Sequence, residues 1–207
     1  MTMRTLAVIG AVLALAGGAL AGEEEGWASL FDGKSLEGWK AATEKPESFS
    51  VRDGMLCVEG GRSHLFYVGE VGKASFKNFE LKLDVMTKPG ANSGVYFHTE
   101  YQASGWPGKG FECQVNNTHG DPKKTGSLYN IKNVMNVSPA KDDVWWSYHI
   151  IVNGMQVKIK VDGVVVTEYT FPDDAKRKPS RGTICLQAHD PKSNIYYKNI
   201  RIKLLPD

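Results

Sequence analysis

Apolar and polar residues alternate along most of the chain between Phe49 and Leu204. Residues 79–85 read FELKLDV and residues 155–161 read MQVKIKV, so that an apolar side chain stands at every second position. A period of two is typical of a β-strand with one buried face. No stretch after the first 21 residues keeps helical spacing over three turns, so the pattern predicts an all-β protein.

The predicted strands are separated by strong turn signals. Asp53-Gly54, Asn153-Gly154 and Asp162-Gly163 suit two-residue hairpin turns, because both central positions of such turns need a positive φ. Residues 148–169 are therefore predicted to form a three-stranded meander. Many short strands and 22 glycines indicate a sandwich or a barrel. A jelly-roll β-sandwich of two antiparallel sheets with one concave outer face fits best.

Three predicted strands carry polar side chains opposite an apolar stripe. In residues 110–115, GFECQV, alternation sends Glu112 and Gln114 to the face opposite the apolar residues. A merely solvated face would carry lysine, threonine and serine, whereas these strands carry groups that bind hydroxyls or move protons. We therefore predict a functional groove, whose strand residues are Asn92, Tyr96, His98, Glu112, Gln114, Gln187 and His189.

Two loops next to the Glu112 strand add candidates. Trp106 stands at the tip of the glycine-rich stretch 104–110, where it either stacks on a sugar ring or anchors the loop. Tyr129 ends the long stretch 116–130, and loops of this length are often functional. His119 lies in the same stretch and is expected to be solvated. The remaining histidines, His64 and His149, and the other tryptophans, Trp27, Trp39, Trp145 and Trp146, are expected to be structural.

The N-terminus predicts export. Residues 1–21 place Arg4 before an apolar run and end in Ala-Leu-Ala, which is the order of a secretory signal peptide. The apolar run is shorter than the roughly 20 residues that span a bilayer. We expect a single domain over residues 22–207, located in the periplasm or outside the cell, without membrane insertion.

Charge and cysteine content bear on the partners and the disulfides that the protein can have. The formal net charge of +2 is scattered, so there is no footprint for a nucleic acid. Nothing indicates an obligate protein partner. The three cysteines, Cys57, Cys113 and Cys185, lie singly within apolar runs and are expected to be buried free thiols.

Eight motifs in order resemble the 3-keto-disaccharide hydrolase domain family and together cover nearly all of the chain after residue 21. They are LFDGKSLEGWK (30–40), FKNFELKLDV (76–85), NSGVYFH (92–98), GFECQV (110–115), TGSLYN (125–130), WWSYHIIVNGMQVKIKVDGVVV (145–166), GTICLQAH (182–189) and YYKNIRIKLL (196–205). The resemblance implies a concanavalin A-like sandwich that acts on glucosides or disaccharides oxidised at C3. Cys113 and His98 depart from the family pattern, which more often has an aliphatic residue and an arginine there.

A C3 ketone makes the C2 proton acidic, so a base can eliminate the C1 substituent, and water then adds to the enone. We expect Glu112 and His189 to divide the base and acid roles, while Asn92, Gln114, Gln187 and Tyr129 hold hydroxyls or the enolate. The sequence assigns no cofactor with certainty, and a divalent cation held by Glu112 with His98 or His189 is the alternative source of enolate stabilisation.

Two rival functions use the same groove. An endo-glucanase needs closely spaced carboxylates on one strand, and the E-x-D-x-x-E pattern typical of such enzymes is missing from the sequence. A lectin-like carbohydrate-binding module would use the same residues without chemistry. In every case the expected partner is a carbohydrate.

Overall fold

The structure, a computed structural model, describes residues 25–207, and the predicted signal peptide lies outside this range. Two antiparallel sheets pack face to face, which confirms the predicted all-β sandwich. The helical segments in the described range are two 3₁₀ turns, Pro46–Ser48 and Val71–Ala74. Within residues 25–207 no helix is long and apolar enough to cross a membrane.

The strands are short, as the turn spacing predicts, and the longest is the last. Between residues 25 and 207 they are β1 (Trp27–Ser29), β2 (Trp39–Ala41), β3 (Phe49–Arg52), β4 (Met55–Glu59), β5 (Ser63–Tyr67), β6 (Phe79–Thr87), β7 (Ser93–Thr99), β8 (Phe111–Val115), β9 (Trp146–Asn153), β10 (Gln156–Val161), β11 (Val164–Thr170), β12 (Thr183–Ala188) and β13 (Asn194–Leu204).

The two sheets have different strand orders. The eight-stranded sheet runs β11-β10-β9-β6-β13-β4-β3, with β1 paired to β13, and the five-stranded sheet runs β2-β5-β12-β7-β8. The predicted meander is confirmed as β9-β10-β11. The three strands with polar faces, β7, β8 and β12, are adjacent in the smaller sheet.

Two of the three predicted hairpin turns are confirmed. Asp53-Gly54 and Asp162-Gly163 each have two positive φ angles between paired strands. The third prediction is displaced by one residue, because Asn153 pairs with Gln156 and the turn consists of Gly154 and Met155. In that turn only Gly154 has a positive φ.

The core lies between the sheets and follows the predicted alternation. In β6 every second residue from Phe79 to Thr87 is buried. Cys57, Cys113 and Cys185 are buried free thiols, as predicted. Cys113 belongs to the core, whereas Cys185 joins a small cluster with Ala42, Phe66 and Tyr96 on the outer face of the smaller sheet.

Two buried tyrosines of the larger sheet reach across the core to the backs of the polar strands. The Tyr148 hydroxyl donates to the Gln114 carbonyl at 3.0 Å. The Tyr197 hydroxyl lies 2.8 Å from the Ser93 hydroxyl, which donates to the Gln187 carbonyl at 2.6 Å. These hydrogen bonds prevent β7, β8 and β12 from sliding along one another.

Candidate functional site

The polar faces of β7, β8 and β12 line a cavity of about 380 Å³ on the outer face of the smaller sheet. This volume is in the usual range for small-molecule sites. Eight of the nine residues predicted for the site line the cavity: Asn92, Tyr96, Trp106, Glu112, Gln114, Tyr129, Gln187 and His189.

Glu112 is the residue of β8 whose side chain is not fully buried, since its carboxylate opens onto the cavity. Three donors surround it: the Tyr96 hydroxyl, the Gln187 amide at 3.3 Å and the Gln114 amide at 3.0 Å. The Gln114 amide is oriented by its bonds to Glu112 and to the Ser93 carbonyl. Burial raises the pKa of Glu112 to about 7, against the opposing effect of the Tyr96 and Gln187 hydrogen bonds.

Gly94 makes room for this carboxylate. A Cβ atom at residue 94 would lie 2.4 Å from Oε1 of Glu112 and 2.8 Å from its Cγ. Gly94 pairs with Gln114 in the β7–β8 ladder, two residues from the Tyr96–Glu112 pair and on the same face of the sheet. The glycine in the motif NSGVYFH is therefore required by this close approach and not by its backbone angles.

His189 follows the end of β12 and is held by its neighbour in sequence. Its Nδ1 lies 2.9 Å from Oδ2 of Asp190, which also accepts a hydrogen bond from the Ser193 hydroxyl at 2.7 Å. Ser193 in turn accepts the backbone N–H of Asn92 at 2.9 Å. Although burial opposes it, the bonds from Ser193 and His189 lower the pKa of Asp190. This chain connects the end of β12 to the start of β7 and orients the His189 ring.

Trp106 combines the two roles proposed for it from the sequence. Its ring is 46% exposed and lines the cavity. The same ring packs on His189, with centroids 5.4 Å apart, and on His64 at 5.7 Å. Its loop is fixed because Glu44 accepts the Gly105 N–H at 2.8 Å.

Glu44 also pairs with Arg62 at 2.7 Å, which places the guanidinium group over the Trp106 ring. Beneath Trp106, His64 is buried, and burial lowers its pKa to about 4. A neutral, buried His64 agrees with the structural role expected from the sequence.

Tyr129 is positioned by the long loop after β8. Its backbone N–H donates to the Glu112 carbonyl at 2.9 Å, and its hydroxyl donates to Asp121 at 2.9 Å. Lys124 is a buried lysine, and its ammonium group donates to the His119 carbonyl at 2.6 Å. The loop that carries Tyr129 is thus preformed by its own polar contacts.

His98 is the one predicted site residue that does not line the cavity. Its φ of 56° interrupts the extended backbone of β7 one residue before the strand ends, and the ring packs against Phe79 and Phe97. Nδ1 accepts the Ser180 N–H at 3.0 Å and Nε2 lies 2.9 Å from the Lys77 carbonyl. Burial lowers the pKa of His98 to about 4. Both ring nitrogens hold backbone segments together, so the predicted substrate-binding role is replaced by a structural one.

The sequence analysis missed several residues of the site. Arg177 reaches the cavity from the loop between β11 and β12, where it donates to the Gly110 carbonyl and lies over the Phe111 ring. A loop has no period-two pattern, so no pattern in the sequence indicated that Arg177 would reach the cavity. Asp190 stands directly after His189, and this adjacency was a signal that could have been used.

A possible metal-binding cluster lies beside the cavity and differs from the expected one. Within residues 25–207, His119, His189 and Asp190 form the one group of three such side chains, with ligand atoms all within 4.8 Å of one another. His119 is half-buried, not solvated as expected. Of the alternative cation ligands named from the sequence, His189 belongs to this group, whereas Glu112 and His98 do not.

Comparison with known proteins identifies the domain. Residues 26–203 match the 3-keto-alpha-glucoside-1,2-lyase-like domain. A curated relative, the 3-keto-disaccharide hydrolase of Bacteroides thetaiotaomicron, is 28% identical over 81 residues. That match covers 36% of this chain and 28% of the relative's length.

Two solved structures of candidate glycosyl hydrolases from Parabacteroides distasonis have the same fold. One superimposes with a TM-score of 0.73 at 22% identity, covering 88% of this chain and 95% of the other. The second has a TM-score of 0.67 at 26% identity, covering 86% and 99%. The similarity extends over the whole sandwich in both cases.

The buried carboxyl group of Glu112 predicts an unusual dependence of stability on pH. Burial raises its folded-state pKa from 4.5 to about 7, so the folded protein binds the proton more tightly than the unfolded chain. Wild-type stability is therefore lost as the pH rises from about 4.5 to about 7. We expect the stability advantage of E112Q over the wild type to grow by about 2 kcal/mol between pH 5 and pH 8.

Urea unfolding of both proteins at the two pH values measures this difference. The matched control is E100Q, which makes the same change at an exposed carboxylate. If the free energies of unfolding of E112Q and the wild type changed equally between the two pH values, the raised pKa of Glu112 would be contradicted.

Proposed function

Because the chain belongs to the 3-keto-alpha-glucoside-1,2-lyase-like domain family, we propose that it is an exported enzyme that cleaves the glycosidic bond of 3-keto-glucosides or 3-keto-disaccharides. The observation that carries this proposal is the Glu112 carboxyl group, which faces the cavity with a pKa of about 7. A base whose pKa lies near neutral pH is well suited to remove a weakly acidic C–H proton.

The proposed reaction begins at C2 of the oxidised sugar. Glu112 takes the C2 proton, and the C–H electron pair forms a C2–C3 double bond while the ketone oxygen becomes an enolate. The enolate then collapses, the C3 ketone re-forms, a C1–C2 double bond appears and the C1–O bond breaks. The departing oxygen receives a proton from His189. Addition of water across the C1–C2 double bond completes a net hydrolysis.

The environments of the two groups support this division of roles. Burial of Glu112 raises its pKa more than the surrounding donors lower it, which favours a carboxyl group that changes its protonation near neutral pH. The His189 side chain is 31% exposed and its Nδ1 bonds to Asp190, so the ring is oriented while keeping access to the cavity. Asp190 is a positioning residue in this scheme.

The remaining polar groups of the cavity suit the sugar hydroxyls and the enolate. Oε1 of Gln187 is buried without a hydrogen-bond partner among the described residues, and a substrate hydroxyl would satisfy it. Asn92, Gln114 and Tyr129 supply further donors and acceptors around the same cavity. The exposed face of Trp106 offers an apolar surface on which a sugar ring can stack.

The first test compares a 3-keto-glucoside with its unoxidised parent glucoside. We expect the mature protein to turn over only the oxidised compound, because only a C3 ketone acidifies the C2 proton. Turnover of the parent would favour an ordinary glycosidase. Silence on both substrates, together with glycan binding in a titration, would favour the carbohydrate-binding module.

The same assay with EDTA tests the alternative source of enolate stabilisation. We expect EDTA not to lower turnover, because hydroxyl and amide donors already surround the reacting groups. Loss of turnover with EDTA would assign enolate stabilisation to a divalent cation.

The second test removes the proposed base. We expect E112Q to lower turnover by about 10²–10⁴-fold, the range for loss of a general base, with E100Q as the isosteric control. In the wild type, kcat/KM should rise with pH up to about 7 and then level off, because only the ionised carboxylate accepts the proton. An E112Q enzyme with wild-type turnover would overturn the assignment.

The third test moves the base without removing it. We expect G94A to reduce turnover by at least about tenfold, because the new Cβ would displace the Glu112 carboxylate from its donors. The matched control is G120A, where an added Cβ meets nothing within 4 Å. Equal activities of G94A and G120A would show that the close approach is not needed. Far-ultraviolet circular dichroism checks that both variants fold.

A further inference from the structure

His119, His189 and Asp190 lie together at the edge of the cavity. We propose that these three side chains bind one divalent transition-metal ion of the Zn²⁺ class, and that the bound ion inhibits the enzyme by withdrawing His189 from proton transfer. The inhibitory part rests on the proposed function, since it assumes that His189 is the acid. The binding part stands on the geometry of the three side chains alone.

The cluster joins two separate parts of the chain. His119 comes from the loop after β8, whereas His189 and Asp190 follow β12, and the rings of the two histidines have centroids 5.5 Å apart. The ligand atoms lie within 4.8 Å of one another. A tetrahedral zinc ion needs its ligand atoms about 3.3 Å apart. The ligand atoms must therefore move closer together by only a small distance. Such a movement is easy for three half-buried side chains, none of which belongs to a strand.

His119 is already oriented for such a role. Its Nδ1 accepts the backbone N–H of Asp121 at 3.1 Å, and the amide nitrogen of Asn92 lies 3.3 Å from the same atom. Nδ1 is thereby kept unprotonated, so its lone pair is the one that a cation would take in place of the Asp121 N–H. The buried ammonium group of Lys124 fixes the backbone at this point through the His119 carbonyl.

The donor set selects the class of ion. Two imidazoles and one carboxylate suit Zn²⁺ and its first-row neighbours, whereas Ca²⁺ and Mg²⁺ prefer sites made of oxygen. The Asp190 carboxylate brings one negative charge to the ion. Hydrogen bonds from Ser193 and from the Lys192 backbone keep that carboxylate in place.

Binding would change what His189 can do. An ion shared by His189 and Asp190 takes the place of the Nδ1 proton in their 2.9 Å hydrogen bond. The ring then keeps one proton, on Nε2, and the imidazolium form releases its other proton to solvent. With a cation on one ring nitrogen, the ring cannot become the imidazolium form that protonates the leaving oxygen. Turnover should therefore fall as the site fills.

The experiment uses metal-free mature protein and Zn²⁺ as the probe. Isothermal titration measures binding, and turnover of a 3-keto-glucoside is measured with and without Zn²⁺. The key variant is H119N, because the asparagine oxygen can still accept the Asp121 N–H while the imidazole ligand is lost. The control is H149N, which alters a half-buried histidine that bonds to Glu80 at 2.7 Å on the larger sheet.

We expect the wild type and H149N to bind one Zn²⁺ and to lose at least about nine-tenths of their turnover when the site is saturated. H119N should bind at least about tenfold more weakly and keep its own zinc-free turnover at the same Zn²⁺ concentration. Each variant serves as its own reference, so a change in basal rate does not affect the comparison.

Three results would overturn the proposal: no binding to the wild type, equal binding to H119N, or faster turnover with Zn²⁺. The last result would also overturn the role of His189 as the acid. If the wild type does not act on 3-keto-glucosides at all, the proposed function fails, while the titration still decides whether the cluster binds a metal.

Discussion

The site depends on one constraint: the Glu112 carboxylate must stay largely shielded from solvent. A carboxylate that loses hydration favours its neutral form unless donors replace the water. Tyr96, Gln114 and Gln187 supply such donors from three adjacent strands. They do not cancel the effect of burial, and the pKa stays at about 7. Gly94 follows from the same constraint, because any larger residue would occupy the space of the carboxylate.

Donors from three strands can surround one carboxylate only if those strands cannot slide. The buried hydroxyls of Tyr148 and Tyr197 provide this restraint from the opposite sheet, since they bond to atoms on the core side of the site strands. The loops are fixed in the same manner, through Lys124 for the loop of Tyr129 and through Glu44 for the loop of Trp106. A rigid support of this kind is what precise placement of reacting groups requires.

The part of the site that could be predicted is the part that follows the strand alternation, because that pattern repeats along the chain. Alternation along β8 correctly assigned Glu112 to the outer face and Cys113 to the core, because a strand leaves each side chain two choices. The same rule failed for His98, because its φ of 56° interrupts the extended backbone of β7 and the ring does not line the cavity. Backbone angles at a single residue leave no periodic trace in a sequence.

The unpredicted residues of the site come from loops. Arg177 and His119 reach the cavity region through irregular backbone whose path depends on contacts with distant residues. His119 is placed by the Lys124 ammonium group and by the amide of Asn92, the residue before β7, and neither contact follows from local pattern. The displaced turn at Gly154 has a similar origin, since the pairing of Asn153 with Gln156 decides which residues are left for the turn.

The free-energy cost of burying this carboxylate is easier to explain for the proposed proton transfer than for simple sugar binding. A binding face gains nothing from a raised pKa, because hydroxyl groups are recognised equally well by a solvated carboxylate at its ordinary pKa or by amides alone. Holding Glu112 ionised above pH 7 costs the fold about 3 kcal/mol, which is a large part of the stability of a typical domain. A group kept in such a place beside an oriented histidine has the features of a proton acceptor, because only proton transfer uses the raised affinity for a proton.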